Sequence, residues 1–259
     1  MGNSLSACMK RVGEYALGIE FFRGELSDAC TLAHGGGLIT APSGPGLAHD
    51  LCNCAEYRRA LVQSDLVLPD SGLLCLWKKW VQGFHLPRIS GLVFLEAILN
   101  RTDWEKESAF WVMPDEAQAR ANISWIQKTY GQKIVDADCF IAPQYKNSGK
   151  LIDEDLAAQI QERKPTAIFI QVGGGVQERL GLYLKETLTF SPSIYCTGAA
   201  LAFLSGQQAR IPKWADHLYM GWLLRCLNNP TVFFPRYVKA FRLLALLARH
   251  GNDSPVVED

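Results

Sequence analysis

With 259 residues, 48% hydrophobic and 20% charged, the chain is long and apolar enough to bury a full core, which excludes a disordered or fibrous class. Lys plus Arg equal Asp plus Glu at 26 each, so net charge points to no polyanionic partner and nucleic acid is not expected. Eight scattered cysteines without a CxxC pair, and five histidines without ligand spacing, exclude a disulfide scaffold and a structural metal site.

The first residues, MGNSLSAC, fit the N-myristoylation pattern, with Gly2 and Ser6 in place and Cys8 nearby, though so short a pattern also arises by chance. No apolar run reaches the roughly 18–20 residues of a spanning helix, and the N-terminus lacks a signal-peptide core. The expected setting is therefore reduced and cytoplasmic. Leu38 to Ala41 predicts a short buried strand broken by the Pro/Gly-rich loop that follows. A helix end over YRRALVQ then leads to a strand at Leu66–Leu68 and a turn at Pro69–Gly72. SGLVFLEAIL reads as a helix with Leu92, Leu95 and Leu99 on one face, and SAFWVM as a third strand. Asp115 starts, and Gly131 stops, a helix over DEAQARANISWIQKTYG. QKIVDADCFI predicts a fourth strand, DEDLAAQIQERK a helix, TAIFIQV a fifth strand, VQERLGLYLKETL a helix and SIYCTG a sixth strand.

Strands alternating with helices at this spacing predict an α/β protein: a mostly parallel, Rossmann-like sheet covered by helices. Its ligands should lie at the C-terminal strand ends, in the loops 40–46, 69–72, 142–147, 173–177 and 196–199. From Trp214 onward only helical segments are expected, so the chain divides into a core, 1–212, and a helical C-terminal appendage, 213–259. Residues 217–250 hold Arg225, Arg236, Lys239, Arg242 and Arg249 and no acid, a composition suited to an anionic surface. On the last helix Leu243 and Leu246 intrude on the basic arc, so a lid packed on the core and a membrane-contacting helix both fit.

Three groups could do chemistry. Asp70 directly follows a strand, where a partly buried carboxylate can act as a general base; the same place suits a helix cap. Arg88 enters a helix and could hold a phosphate in bidentate fashion, or simply face solvent. Gly173, Gly174 and Gly175 allow close backbone approach, with Gln177 and Glu178 in the next helical turn, but they match neither a dinucleotide fingerprint nor a P-loop.

Together these pieces resemble the glycosyltransferase family typified by TagA, WecG and CpsF, from about Gly36 to Arg242. The resemblance is densest in YCTGAALAFLSGQQARIPKWADHLYMGWLLRCLNNPTVFFPRY, at Gly198, Ala199, Phe203, Gly206, Arg210, Pro212, Trp214, Trp222, Arg225, Pro230, Arg236 and Tyr237. VLPDSG resembles the family's Pro-Asp-Gly motif, whose Asp is the base. RISGLVF resembles its Arg-x-x-Gly segment, whose Arg meets substrate phosphate, and VGGGVQE its Gly-x-Pro-Lys-Gln-Glu segment. The resemblance implies a metal-independent, cofactor-free, inverting transferase. It would move a sugar from a nucleoside-diphosphate donor, UDP being expected, to a polyprenyl-diphosphate-linked saccharide in cell-envelope polysaccharide synthesis. Asp70, Arg88 and Gln177 would be catalytic. Substrate contacts would come from Thr40, Gly173, Gly174, Glu178, Gly198, Arg210, Arg225, Arg236 and Arg242. The place of work would be the inner face of the plasma membrane, and a homo-oligomer is compatible with it.

The family's Thr-Ala-Asn is Thr40-Ala41-Pro42 here, and the Gly after the base is Ser71. Val93 replaces an Asp, Pro114-Asp115 a Gly-Gly pair, Gly175-Val176 the Pro-Lys and Gly221 a Glu. These departures admit a second expectation: a catalytically weakened member acting as a nucleotide-binding or scaffold protein in a polysaccharide assembly complex.

Overall fold

The computed structural model describes residues 13–207, 234 and 238–255. Its centre is a six-stranded sheet of β3 (Gly37–Thr40), β4 (Leu66–Val67), β5 (Ala109–Met113), β6 (Cys139–Ile141), β7 (Ala167–Ile170) and β8 (Ser193–Cys196). The spatial order is β4-β3-β8-β7-β5-β6 and every pairing is parallel. All six strands expected from sequence are present. The fourth is shorter than expected: Asp136–Asp138 forms a 3-10 turn, because the Asp138 carboxylate reaches back to accept from Val135 N at 3.3 Å, and only Cys139–Ile141 pairs.

Alternation along the strands builds two cores, one on each face. Ile39, Trp111, Phe169 and Tyr195 point to one side, under α1 (Leu26–Ala33), α5 (Gly91–Arg101), α6 (Glu116–Tyr130) and α9 (Ala200–Leu204). Leu38, Phe110, Ile168 and Ile194 point to the other, under α7 (Glu154–Arg163) and α8 (Val176–Thr187). Trp111, Phe169 and Tyr195 sit opposite one another on adjacent strands and stack, with ring centroids 4.4 and 4.8 Å apart. Asp115 and Asp153 each cap their helix, accepting from the backbone N–H three residues on, which fixes α6 and α7 where the sequence expects them.

A third cluster lies beyond the β4 edge. An antiparallel hairpin of β1 (Gly13–Ala16) and β2 (Ile19–Phe22), a π-helical turn at Gly46–Asp50, α2 (Leu51–Asn53), α3 (Ala55–Val62) and α4 (Gly72–Trp80) contribute to it, together with α10 (Arg242–His250). Leu243 and Leu247 are fully buried there and Leu246 nearly so, beside Leu47 and Leu74. Burying a leucine contributes about 1.5–3 kcal/mol, so the two residues that interrupt the basic arc, with Leu247, dock α10 on the core. Phe234, Val238 and Phe241, just before α10, are exposed. Among the described residues no helix is long and apolar enough to cross a membrane.

The β1–β2 hairpin and the segment after α10 are stitched together here. Leu17 N and Gly18 N donate to Gly251 O and Asn252 O, and the buried Lys78 ammonium of α4 donates to Glu14 Oε1, Tyr15 O and Asn252 Oδ1.

Candidate active site

The loops leaving β3, β4, β7 and β8 meet at the C-terminal edge of the sheet. Asp70 lies two residues beyond Leu68 and is half-buried. Its backbone oxygen accepts from Arg88 Nε at 2.8 Å, while its carboxylate Oδ1 lies 3.7 Å from Arg88 Nη2 and accepts from Gly91 N at 3.2 Å. Ile89 N donates to Pro69 O, so the segment before α5 is laced along the segment after β4. Ser71, not Asp70, caps α4, its Oγ accepting from Leu74 N. The cap alternative raised for Asp70 therefore falls to its neighbour. Beneath the pair, burial pushes the Cys75 thiol up to about 12, which keeps it protonated.

A second group of side chains ties the neighbouring loops together. Gly175, at φ +86, turns the chain from the loop after β7 into α8; a Cβ there would also lie 3.1 Å from Asp50 Oδ2 of the π-turn. Gly175 N donates to Glu178 Oε2 at 2.7 Å, so this helix start is met by its own side chain. Gln177 donates through Nε2 to Glu178 Oε1 and accepts at Oε1 from Gly198 N at 2.6 Å. Both side chains are buried. The resemblance makes Gln177 catalytic and Glu178 a substrate contact; here their polar atoms bind two loops to each other. Gly173 and Gly174 are exposed, and Gly198 is partly so. Thr40 is fully buried and its hydroxyl donates to Ser64 Oγ at 3.1 Å. Arg242 is exposed at the start of α10, whereas Arg210, Arg225 and Arg236 lie outside the described residues.

Sequence reasoning missed two members of this scaffold. Gln171, buried at the end of β7, donates to Thr197 Oγ1 and accepts from Leu201 N. Arg179 is buried, and its guanidinium donates to Gly175 O, Gly149 O and Lys146 O at 2.7–2.8 Å, fastening the loop after β6 beside the glycines. A polar residue closing an otherwise apolar strand was the available signal for Gln171. Nothing in the pattern marks Arg179, because α8 is buried continuously from Gln177 to Leu182 and shows no polar face there. Two Asp-x-Asp triplets do structural work: Asp138 pairs with Arg163, and Asp153 caps α7 while accepting from Tyr145 Oη. Among the described residues no group of three or more His, Cys, Asp or Glu could hold a metal.

Burial raises Glu178 to about 7, with the Asp50 charge adding to the rise, against the lowering by its hydrogen bonds from Gly175 N and Gln177. The folded protein thus holds this proton more tightly than the unfolded chain. Its contribution is full below pH about 4.5 and is lost as pH rises toward about 7. Glu178→Gln should accordingly flatten that part of the stability profile. Denaturant unfolding at pH 5 and pH 8 measures it, and an unchanged difference between the two pH values in the variant would exclude Glu178 as the source.

The sequence profile of the glycosyl transferase WecG/TagA/CpsF family matches residues 19–254, nearly the whole chain. The chain belongs to that family. It is also 21% identical over 213 residues to the N-acetylglucosaminyldiphosphoundecaprenol N-acetyl-beta-D-mannosaminyltransferase of Bacillus spizizenii, covering 79% of this chain and 78% of the relative. As a glycosyltransferase of the WecG/TagA/CpsF family, the chain has a parallel sheet whose C-terminal edge offers a carboxylate and an arginine in contact.

Proposed function

We propose that this glycosyltransferase moves an N-acetylhexosaminyl residue from a UDP-linked donor to a polyprenyl-diphosphate-linked saccharide, with inversion at the anomeric carbon. The observation that carries the reading is Asp70, held between Arg88 and Gly91 where the strand ends converge. The Asp70 carboxylate takes the proton of the acceptor hydroxyl as its oxygen bonds to the anomeric carbon. The bond from that carbon to the diphosphate oxygen breaks, and the departing UDP keeps the electron pair. Arg88 offsets the negative charge gathering on the diphosphate. Gln177 and Glu178 act as positioning residues, holding the loops after β7 and β8 in register.

The acceptor class is supported by the name of the Bacillus relative, whose acceptor is a diphosphoundecaprenol-linked N-acetylglucosamine. Incubating the pure protein with UDP-N-acetylmannosamine and other UDP-sugars, beside a short-chain prenyl-diphosphate-linked N-acetylglucosamine, tests it by mass spectrometry of the lipid product. No transfer from any donor by a protein that still binds UDP would favour the nucleotide-binding, scaffold-like reading. The inward engagement of Gln177 and Glu178 is the observation on that side. With arginine in the cation's place, transfer should persist in excess EDTA, and a loss restored by Mg²⁺ or Mn²⁺ would overturn metal independence.

On this reading residues 1–212 carry the chemistry and 213–259 bring the chain to the cytoplasmic face of the membrane where the lipid-linked acceptor lies. Val238 and Phe241 are exposed beside the exposed Lys239 and Arg242, which suits shallow insertion with electrostatic attraction of roughly 1 kcal/mol per basic residue. Val238→Ser with Phe241→Ser should lower co-sedimentation with anionic vesicles several-fold, and raising salt should weaken the parent's binding. Equal sedimentation of parent and double variant would remove the surface from the proposal.

A further inference from the structure

We infer that Gly91 is a positioning residue for transfer, acting through the Asp70 carboxylate; this rests on the proposed role of Asp70 as base. Gly91 is the first residue of the eleven-residue helix α5 and is buried where three loops converge. Its N–H donates to Asp70 Oδ1 at 3.2 Å. On its other side a Cβ would lie 3.2 Å from Thr197 O and 3.4 Å from the Ala41 Cβ. The helix start is therefore pressed against the loops after β3 and β8 while it reaches the loop after β4. Only a residue without a side chain lets the N–H come this close without moving one of the three.

The contact does two things to a base. It fixes one carboxylate oxygen and hence the plane of the other, and a hydrogen bond from a helix N-terminus favours the ionised form that must accept the proton. The charged and titratable groups against this carboxylate include Arg88, ahead of α5, and the Cys75 thiol on α4. The close hydrogen bond of Arg88 goes to the Asp70 backbone oxygen, and its Nη2 stands 3.7 Å off Oδ1. The Gly91 N–H meets the acid group itself. Ser90, whose Oγ accepts from Val93 N at 3.3 Å, holds the same first turn in place.

A Cβ at 3.2–3.4 Å asks its neighbours to give by a few tenths of an ångström, so Gly91→Ala should fold. The test is a cycle of Gly91→Ala, Asp70→Asn and the double variant, assayed for transfer across pH, with thermal unfolding of each. For Gly91→Ala the expected result is a kcat lower by 10- to 100-fold, a donor KM within about two-fold of the parent, and an acid limb of the rate profile moved to higher pH. The double variant should be no slower than Asp70→Asn alone, because the residue Gly91 acts through is already disabled. Ser90→Ala should show a smaller loss with the same non-additivity, and carries the test if Gly91→Ala does not fold. Full activity in Gly91→Ala, or losses that multiply with that of Asp70→Asn, overturns the inference while leaving Asp70 in place. Parent-like turnover in Asp70→Asn would instead remove the base itself, and the inference with it.

Discussion

Asp70→Asn should lower transfer by roughly two to four decades while leaving fold and nucleotide binding intact. The substitution is isosteric, and an amide oxygen can still accept from Gly91 N at the place Oδ1 occupies. What it cannot do is take a proton from an acceptor hydroxyl. The loss should therefore fall on kcat, with the donor KM nearly unchanged, and single-turnover rates with saturating acceptor would separate the two. Turnover equal to the parent would end the assignment of Asp70. A collapse of UDP binding would show instead that the carboxylate shapes the donor site.

Lys78→Ala should have the largest effect on stability, about 3–5 kcal/mol, because it removes the cation of a buried ion pair. The Lys78 side chain is 1% exposed and Glu14 22%, and the ammonium also satisfies Tyr15 O and Asn252 Oδ1. Deleting it strands three acceptors and opens space between the β1–β2 hairpin, α4 and the segment after α10. For a chain of this size that loss corresponds to a fall in Tm on the order of 10 °C. Lys79→Ala, one residue on and exposed, should stay within about 0.5 kcal/mol of the parent. Matching denaturation curves for the two variants would mean that the buried amine contributes no more than a surface one. Limited proteolysis offers an independent reading: cleavage after α10 should accelerate in Lys78→Ala alone.

The sheet was legible in the sequence because parallel strands buried on both faces are written as short apolar runs, and α5 to α8 separate them with ordinary caps. The hairpin and α1 were not. GEYALGIEFF turns at Leu17 and Gly18, both at positive φ, and no turn-forming pair such as Asn-Gly marks it. GLLCLWKKW hid α4 behind a turn signal at Pro69–Gly72, whose last residue begins the helix. For the proposed site, a carboxylate following a strand pointed to Asp70 and the motif pattern to Arg88, and the fold places the two side by side. The direction of Gln177 and Glu178 could not be read from a glycine run followed by Gln-Glu, since either order of turning would suit those letters. It is decided by Gly198 and Gly175, contributed by the loops after β8 and β7. Thr40 is a case of the same kind, because strand alternation places it in the interior and only its neighbour Ser64 shows where the hydroxyl goes.

The position of β8 also governs how the molecule can be made. Residues 37–67 supply β3 and β4, and residues 109–170 supply β5, β6 and β7, but no pairing joins the two sets directly. β8, made after all of them, pairs with β3 on one side and β7 on the other. A nascent chain thus carries two half-sheets with open apolar edges until residues 193–196 emerge, the stage at which chaperones and low temperature should matter most to yield. The strand that joins the halves leads directly into Thr197 and Gly198, which meet Gly91 and Gln177. Folding and assembly of the proposed transfer site are then one late event, so on that reading a truncated or stalled chain has no partly working site.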